Sequence, residues 1–176
     1  MSDKRVTRRL FFALWPDDAT RARVARLIRD LPRKQGRPVA PENLHATLVF
    51  VGNVDAHVAK CLEDRAGTVA VEPFDVQLDR VGCFARAGVV WLGAERTPPT
   101  LERIVQDLIA AVVPCGYSPE ARPFRLHVTL FRKARPSLET PEAVDPVPWR
   151  VEGFSLIESV SIRGGVRYQS VRDFTV

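Results

Sequence analysis

Leu44-His45-Ala46-Thr47-Leu48-Val49-Phe50-Val51 and Leu126-His127-Val128-Thr129-Leu130-Phe131 hold two of the three histidines of this 176-residue chain, each in the frame His-x-Thr-Leu. Both runs are apolar with polar residues at alternate positions, the pattern of a half-buried β-strand. Residues i and i+2 of a strand share a face. His45 therefore projects with Thr47 and His127 with Thr129, while Ala46, Leu48, Val128 and Leu130 face a core. A chain that uses histidine so sparingly, and twice in one geometry, is assembling an acid/base pair.

Outward from these runs, Arg9-Leu10-Phe11-Phe12-Ala13-Leu14 reads as a buried strand, and Pro16-Asp17-Asp18 as a helix start. Val24, Leu27, Ile28 and Leu31 have helical spacing; Arg21, Arg23, Arg26 and Arg29 lie mostly off that stripe, on a solvated face. Residues 32–43 form a proline-rich loop into the first histidine strand. A second helix covers Ala56 to Ala66, and His57 near its start is exposed and uninvolved. Phe74 to Val81 and Gly88 to Gly93 are strands. Leu101, Ile104, Val105, Leu108, Ile109 and Val112 mark an amphipathic helix that ends before Pro114 and Gly116. The second histidine strand spans Phe124 to Arg132, and residues 136–148 are a long loop or flap. Phe154 to Ile162 and Val166 to Val176 close the chain as strands around a turn at Gly164-Gly165.

The order strand, helix, histidine strand occurs twice. His45 and His127 are offset by 82 residues, Phe74 and Phe154 by 80, Gly88 and Gly165 by 77. Near-equal offsets indicate an internal duplication. The expected fold class is α+β: one bilobal domain over residues 1–176, with two antiparallel-rich sheets facing across a central cleft and helices outside. Each lobe then supplies one His/Thr pair.

No stretch approaches the roughly 18 apolar residues that span a membrane, and the first nine residues lead into a strand rather than a signal sequence. Cys61, Cys83 and Cys115 are odd in number and widely spaced, which suits reduced thiols and a cytoplasmic location. Net charge is +5, with 22 arginines against 4 lysines. Arginine matches phosphate with a rigid fork, so the bias suits a nucleic-acid partner, although a GC-rich genome produces the same bias. Neither a heptad nor an apolar surface stripe is evident, so a monomer is expected.

Two imidazoles across a cleft can work on a phosphodiester without metal or cofactor. One, neutral, deprotonates the attacking water; the other, protonated, supplies the departing oxygen with a proton. Each threonine hydroxyl can donate to a non-bridging phosphate oxygen. A metal site would need clustered ligands, and the acid nearest either motif, Glu42, lies three residues before His45. His57 and Cys61, one helical turn apart, have no oxyanion motif beside them and do not make a nucleophilic pair.

The paired H-x-T-x motifs make the chain resemble the two-histidine phosphoesterases, most closely the RNA 2′,3′-cyclic phosphodiesterases of the 2′–5′ RNA ligase family. The likeness extends to Arg9–Leu14, Pro41–Gly52, Gly88–Gly93, Arg122–Arg132 and the closing Gly-x-x-Tyr at Tyr168. It implies hydrolysis of a terminal 2′,3′-cyclic phosphate to a 2′-phosphate, with His45 as proton donor and His127 as proton acceptor. It also implies Thr47 and Thr129 as phosphate ligands. Arg132 lies on the face opposite His127 by strict alternation and reaches phosphate only if the strand ends or bulges there. Leu126 and Gly82-Cys83-Phe84-Ala85 depart from the family's proline before the second histidine and its Gly-x-Phe-Pro turn, which bears on loop shape and substrate preference.

Phe11, Trp15, Phe84, Trp149 and Tyr168 are the candidates for stacking a terminal base, Phe11 and Tyr168 foremost. The implied partner is an RNA with a 2′,3′-cyclic phosphate end, such as a tRNA fragment, or a small cyclic-phosphate nucleotide. Two other readings remain: 2′–5′ ligation in the reverse direction, and a non-catalytic RNA-end-binding module. Intact motifs in both halves favour an enzyme.

Overall fold

The computed structural model describes residues 7–31, 36–135 and 141–175. Among these residues nine strands form two antiparallel sheets. Sheet A has the order β3-β1-β8-β9, from Arg8–Leu14 (β1), Ala46–Val54 (β3), Gly153–Ile162 (β8) and Gly165–Thr175 (β9). Sheet B has the order β2-β6-β5-β4-β7, from Arg37–Pro38 (β2), Phe74–Phe84 (β4), Val89–Gly93 (β5), His127–Arg132 (β6) and Glu142–Val151 (β7). The three α-helices among the described residues are Asp18–Asp30 (α1), Ala56–Ala66 (α2) and Pro99–Val112 (α3). No helix among the described residues is long and apolar enough to cross a membrane.

Asp17 starts α1 by accepting the Thr20 backbone N–H at 2.8 Å, and Asp55 starts α2 by accepting that of Val58 at 2.9 Å. The apolar stripes bury Val24 of α1 and Leu101, Ile104, Val105, Leu108 and Val112 of α3, as the spacing predicts. Strand alternation separates two apolar groups. Leu10, Phe12 and Leu14 join a large core with Phe154, Leu156, Leu92 and Leu130, whereas Phe11, Ala13 and Ile157 form a small second cluster with Trp15 and Tyr168.

The duplication is visible in the sheet orders. β3 and β6 both lie next to the central strands β1 and β5, and β8 and β4 occupy matching inner positions, so the His45/His127 and Phe74/Phe154 landmarks hold. The Gly88/Gly165 landmark does not. Gly88 leads into β5, which pairs with the histidine strand as β1 does, whereas Gly165 begins β9 at the far edge of sheet A. A Gly-x-x-aromatic match was too short to distinguish these positions.

Three further expectations are corrected. The loop or flap expected at 136–148 is strand from residue 142 onward, part of β7; Pro146 and Pro148 are tolerated there because β7 is an edge strand. Residues 136–140 of that run lie outside the described residues, as do 32–35 of the earlier loop. The rest of the earlier loop contains β2, which pairs Arg37 with Arg132. Finally, Cys61 and Cys115, expected as reduced thiols, form a disulfide between α2 and the short turn after α3, across 54 residues of chain. Spacing alone does not reveal it, because their proximity comes from the packing of α2 on α3. Cys83, half-buried on β4, is not part of that bridge.

Closing a loop of 54 residues is worth about 4 kcal/mol by chain entropy. Chemical denaturation with and without dithiothreitol, or of a Cys61→Ser/Cys115→Ser variant, is expected to show a loss of up to that size. An unchanged midpoint would show that the bridge adds no stability.

Candidate active site

Both histidines are held in the same way. His45 Nδ1 lies 2.7 Å from the carbonyl oxygen of Asn43, and His127 Nδ1 lies 2.8 Å from that of Arg125. A carbonyl only accepts, so each Nδ1 carries the proton and donates it to the residue two places back. Each Nε2 is left without a proton in the neutral ring. The strand assignments begin at Ala46 and His127, so both imidazoles sit where an incoming segment enters its strand.

The strands then repeat a second device. In β3, Ala13 opposes Thr47 and Phe12 opposes Val49, which leaves Leu48 as an extra residue. In β6, Trp91 opposes Thr129 and Val90 opposes Phe131, which leaves Leu130 extra. The fourth position of each His-x-Thr-Leu frame is thus a β-bulge. Past the bulge the alternation changes phase: Leu130 and Phe131 are both buried and Arg132 is exposed. Arg132 thereby reaches the cleft side, the condition under which the sequence allowed it a role. It lines a cleft of about 400 Å³ together with His45, Thr129 and Tyr168. The two histidine strands also approach each other between the sheets. Among the described residues, neither the Thr47 nor the Thr129 hydroxyl has a hydrogen-bond partner, so both remain available as donors.

The two imidazoles differ in their surroundings. Trp15 stacks on His45 with ring centres 5.6 Å apart and planes 9° apart, Tyr168 meets it edge-on at 5.0 Å, and Phe11 packs at 5.1 Å. Among the described residues His127 has one such neighbour, Phe84, edge-on at 5.1 Å. Burial among these rings pushes the His45 pKa down from 6.5 to about 4, with the Asn43 bond opposing and the nearby charges of Arg132 and His127 assisting. The His127 pKa is also lowered, first by burial and then by Arg125 and Arg132, while its carbonyl bond opposes. Both histidines feel Arg132, and His45 feels His127, so the three groups share one electrostatic field.

Of the five aromatic candidates, Phe11, Trp15 and Tyr168 surround His45 and Phe84 abuts His127. Phe11 is only 3% exposed, its surface taken up by His45, Tyr168 and Ile157. Trp149 lies in the large core and is no part of the site; on an alternating edge strand its inward face buries it. Sequence reasoning passed over Trp91. It opposes Gly82 in the β4–β5 ladder and Thr129 in the β5–β6 ladder, and carries the Arg125 guanidinium over its ring at 5.3 Å. Gly82 and Gly93 make room for it, since a Cβ at either position would meet the indole. Two glycines flanking a tryptophan across a hairpin was the available signal.

Comparison with known proteins gives one answer at three levels. Residues 15–162 match the family model of the 2′-5′ RNA ligase superfamily. RNA 2′,3′-cyclic phosphodiesterase of Escherichia coli is 34% identical over 93% of this chain and 94% of its own length. That of Archaeoglobus fulgidus is 30% identical over 94% of this chain and 99% of its own. The crystal structure of E. coli LigT complexed with 3′-AMP superposes with a TM-score of 0.89 at 32% identity, covering 97% of this chain and 99% of that one.

Two outcomes are expected from this geometry. A histidine whose pKa falls on folding binds its proton more weakly in the folded state than in the unfolded. The protein therefore loses stability as pH drops from 6.5 to about 4, by up to about 3 kcal/mol for His45. A His45→Gln variant should show a shallower acid limb; equal limbs would mean a more solvated ring. Gly82→Ala should displace the Trp91 indole at a cost of about 1–3 kcal/mol, read as a lower unfolding midpoint, and an unchanged midpoint would contradict that contact.

Proposed function

The chain belongs to the 2′-5′ RNA ligase superfamily, and we propose that it hydrolyses RNA terminal 2′,3′-cyclic phosphates to 2′-phosphates through His45 and His127, without a metal. The observation that carries this reading is the repeated arrangement of the two motifs. Each has an imidazole fixed by a carbonyl two residues back, a threonine with an unpartnered hydroxyl on the same face, and a bulge directly after it.

His127, the less enclosed ring, takes a proton from water at its free Nε2, and the water oxygen attacks phosphorus. The bond from phosphorus to O3′ breaks, and His45 in its protonated form delivers a proton to that oxygen. Thr47, Thr129 and Arg132 hold the non-bridging oxygens, where charge concentrates. Proton donation requires a protonated His45, although its pKa in the free protein is about 4. The substrate's own charge supplies the difference. A unit negative charge about 4 Å away at an effective dielectric of about 20 is worth about 4 kcal/mol, or about three pKa units. The stacked Trp15 face adds to it, since an aromatic face favours a cation. Substrate binding thus protonates the acid, and the free His45 imidazole rests neutral.

Purified protein treated with EDTA is incubated with a short RNA bearing a 2′,3′-cyclic phosphate, and the 2′- and 3′-phosphate products are resolved. A 2′-phosphate is expected. A 3′-phosphate would reverse the departing oxygen, and bound RNA with no product would make the protein an RNA-end-binding module. His45→Ala and His127→Ala are each expected to lower kcat by about 10²–10⁴, and wild-type rates in either would remove the mechanism. Because the His45 pKa is low in the free protein and raised by the bound anion, the alkaline limb of kcat should lie above that of kcat/KM. Coincident limbs would contradict this substrate-driven protonation.

A further inference from the structure

Besides His45 and Thr129, the cleft is lined by Arg37, Arg132, Lys133 and Arg163, with Glu42 the one acid among the described residues that line it. Three chain segments bring these cations together. The β2 strand pairs with the end of β6, so that Arg37 lies directly opposite Arg132, and the Val39 N–H donates to the Leu130 carbonyl at 2.8 Å. The β8–β9 turn carries Arg163 and is tied to the same loop: the Arg37 guanidinium donates to the Gly164 carbonyl at 3.5 Å, and Asn43 Nδ2 to that of Val166 at 3.2 Å. Lys133 has φ of +53°, the only positive φ at a non-glycine among the described residues. The Ala134 N–H holds it there by donating to the Gly88 carbonyl at 2.9 Å.

This arrangement works against stability. Like charges directly opposite on paired strands repel, and a lysine in the left-handed region is strained. Arg8, Arg80, Arg103 and Arg150 each meet a carboxylate, yet among the described residues none of the four cleft cations does. Main-chain hydrogen bonds thus hold together a set of mutually repelling cations. Such a set is balanced by an anion that comes and goes with the ligand.

The reacting phosphate has two histidines, two threonines and Arg132. We propose that Arg37, Lys133 and Arg163 form a second phosphate subsite, for the phosphate on the 5′ side of the terminal ribose. That identification rests on the cyclic-phosphate reading above, because in an RNA with such an end the next anion along the chain is the 5′ phosphate of the same nucleotide. The subsite makes the protein prefer a polynucleotide end over a bare nucleoside cyclic phosphate.

The test is equilibrium binding, independent of turnover. Adenosine 2′-phosphate, adenosine 2′,5′-bisphosphate and the dinucleotide ApA ending in a 2′-phosphate are titrated into the wild-type protein. Both 5′-phosphorylated ligands are expected to bind about tenfold or more tightly than adenosine 2′-phosphate. The gain should shrink as salt rises from about 50 to about 200 mM. In Arg37→Gln/Arg163→Gln and in Lys133→Gln the gain should fall severalfold, while Arg23→Gln/Arg26→Gln on the exposed face of α1 keeps it. Equal affinities in the wild type, or a gain that survives in the cleft variants, would overturn the subsite. A gain confined to the bisphosphate would overturn its assignment to an RNA chain. If the gain is present but no cyclic phosphate is hydrolysed, the subsite stands and the proposed reaction fails.

Discussion

The β-bulge directly after each threonine is the constraint on which the site depends. Strict alternation would send the residue after Leu130 back to the cleft face and Arg132 into the core. The extra residue lets Leu130 and Phe131 both enter the core, and the next side chain emerges toward the cleft. The same displacement at Leu48 buries Val49 and turns Phe50 outward to 41% exposure. One irregularity, used twice, allows a strand with a two-residue period to present a histidine and a threonine and still bury its far end. In the second half it also positions an arginine.

The twofold plan fixes where the imidazoles sit, and the side chains around it break the symmetry. Position 11 opposes position 50, and Trp91 opposes Thr129, so each sheet lays an aromatic side chain along its cleft face. Sheet A adds Trp15 and Tyr168 around His45, whereas sheet B spends space on Gly82 and Gly93 to seat one indole. The consequence is chemical. His45 is enclosed by three aromatic rings and has its pKa pushed down to about 4 by burial, while His127 meets only Phe84 among the described residues. A symmetric motif pair therefore holds two histidines in unlike surroundings, and under the proposed mechanism that difference lets them take unlike roles.

How much of this was legible follows from the range of each signal. The histidine strands, α2, α3 and β8 came from local periodicity and were found nearly to their ends. The His/Thr faces followed from alternation alone. The bulges were not legible, because Leu48 and Leu130 are ordinary core residues and only the partner strand's register shows that they are extra. The Asn43 and Arg125 carbonyls were invisible for a similar reason: a main-chain acceptor carries no sequence signal. Pro146 and Pro148 concealed β7, since proline excludes an interior strand and says little about an edge. The Cys61–Cys115 bridge depended on helix packing, a contact between distant segments that spacing cannot report.

The cations of the cleft show why composition was ambiguous. Most arginines here are spent on the surface, several in exposed ion pairs such as Arg103–Glu72 and Arg150–Asp75 that are worth little each. A codon-driven bias would scatter arginine in this way. It does not explain Arg37 set opposite Arg132 by a two-residue ladder, or a lysine held at positive φ beside them. The informative quantity is therefore the placement of charge that lacks a counterion, at a point where the fold supplies hydrogen bonds to hold it. Stability is given up there because a bound phosphate restores it, and the restored part appears as affinity for the ligand.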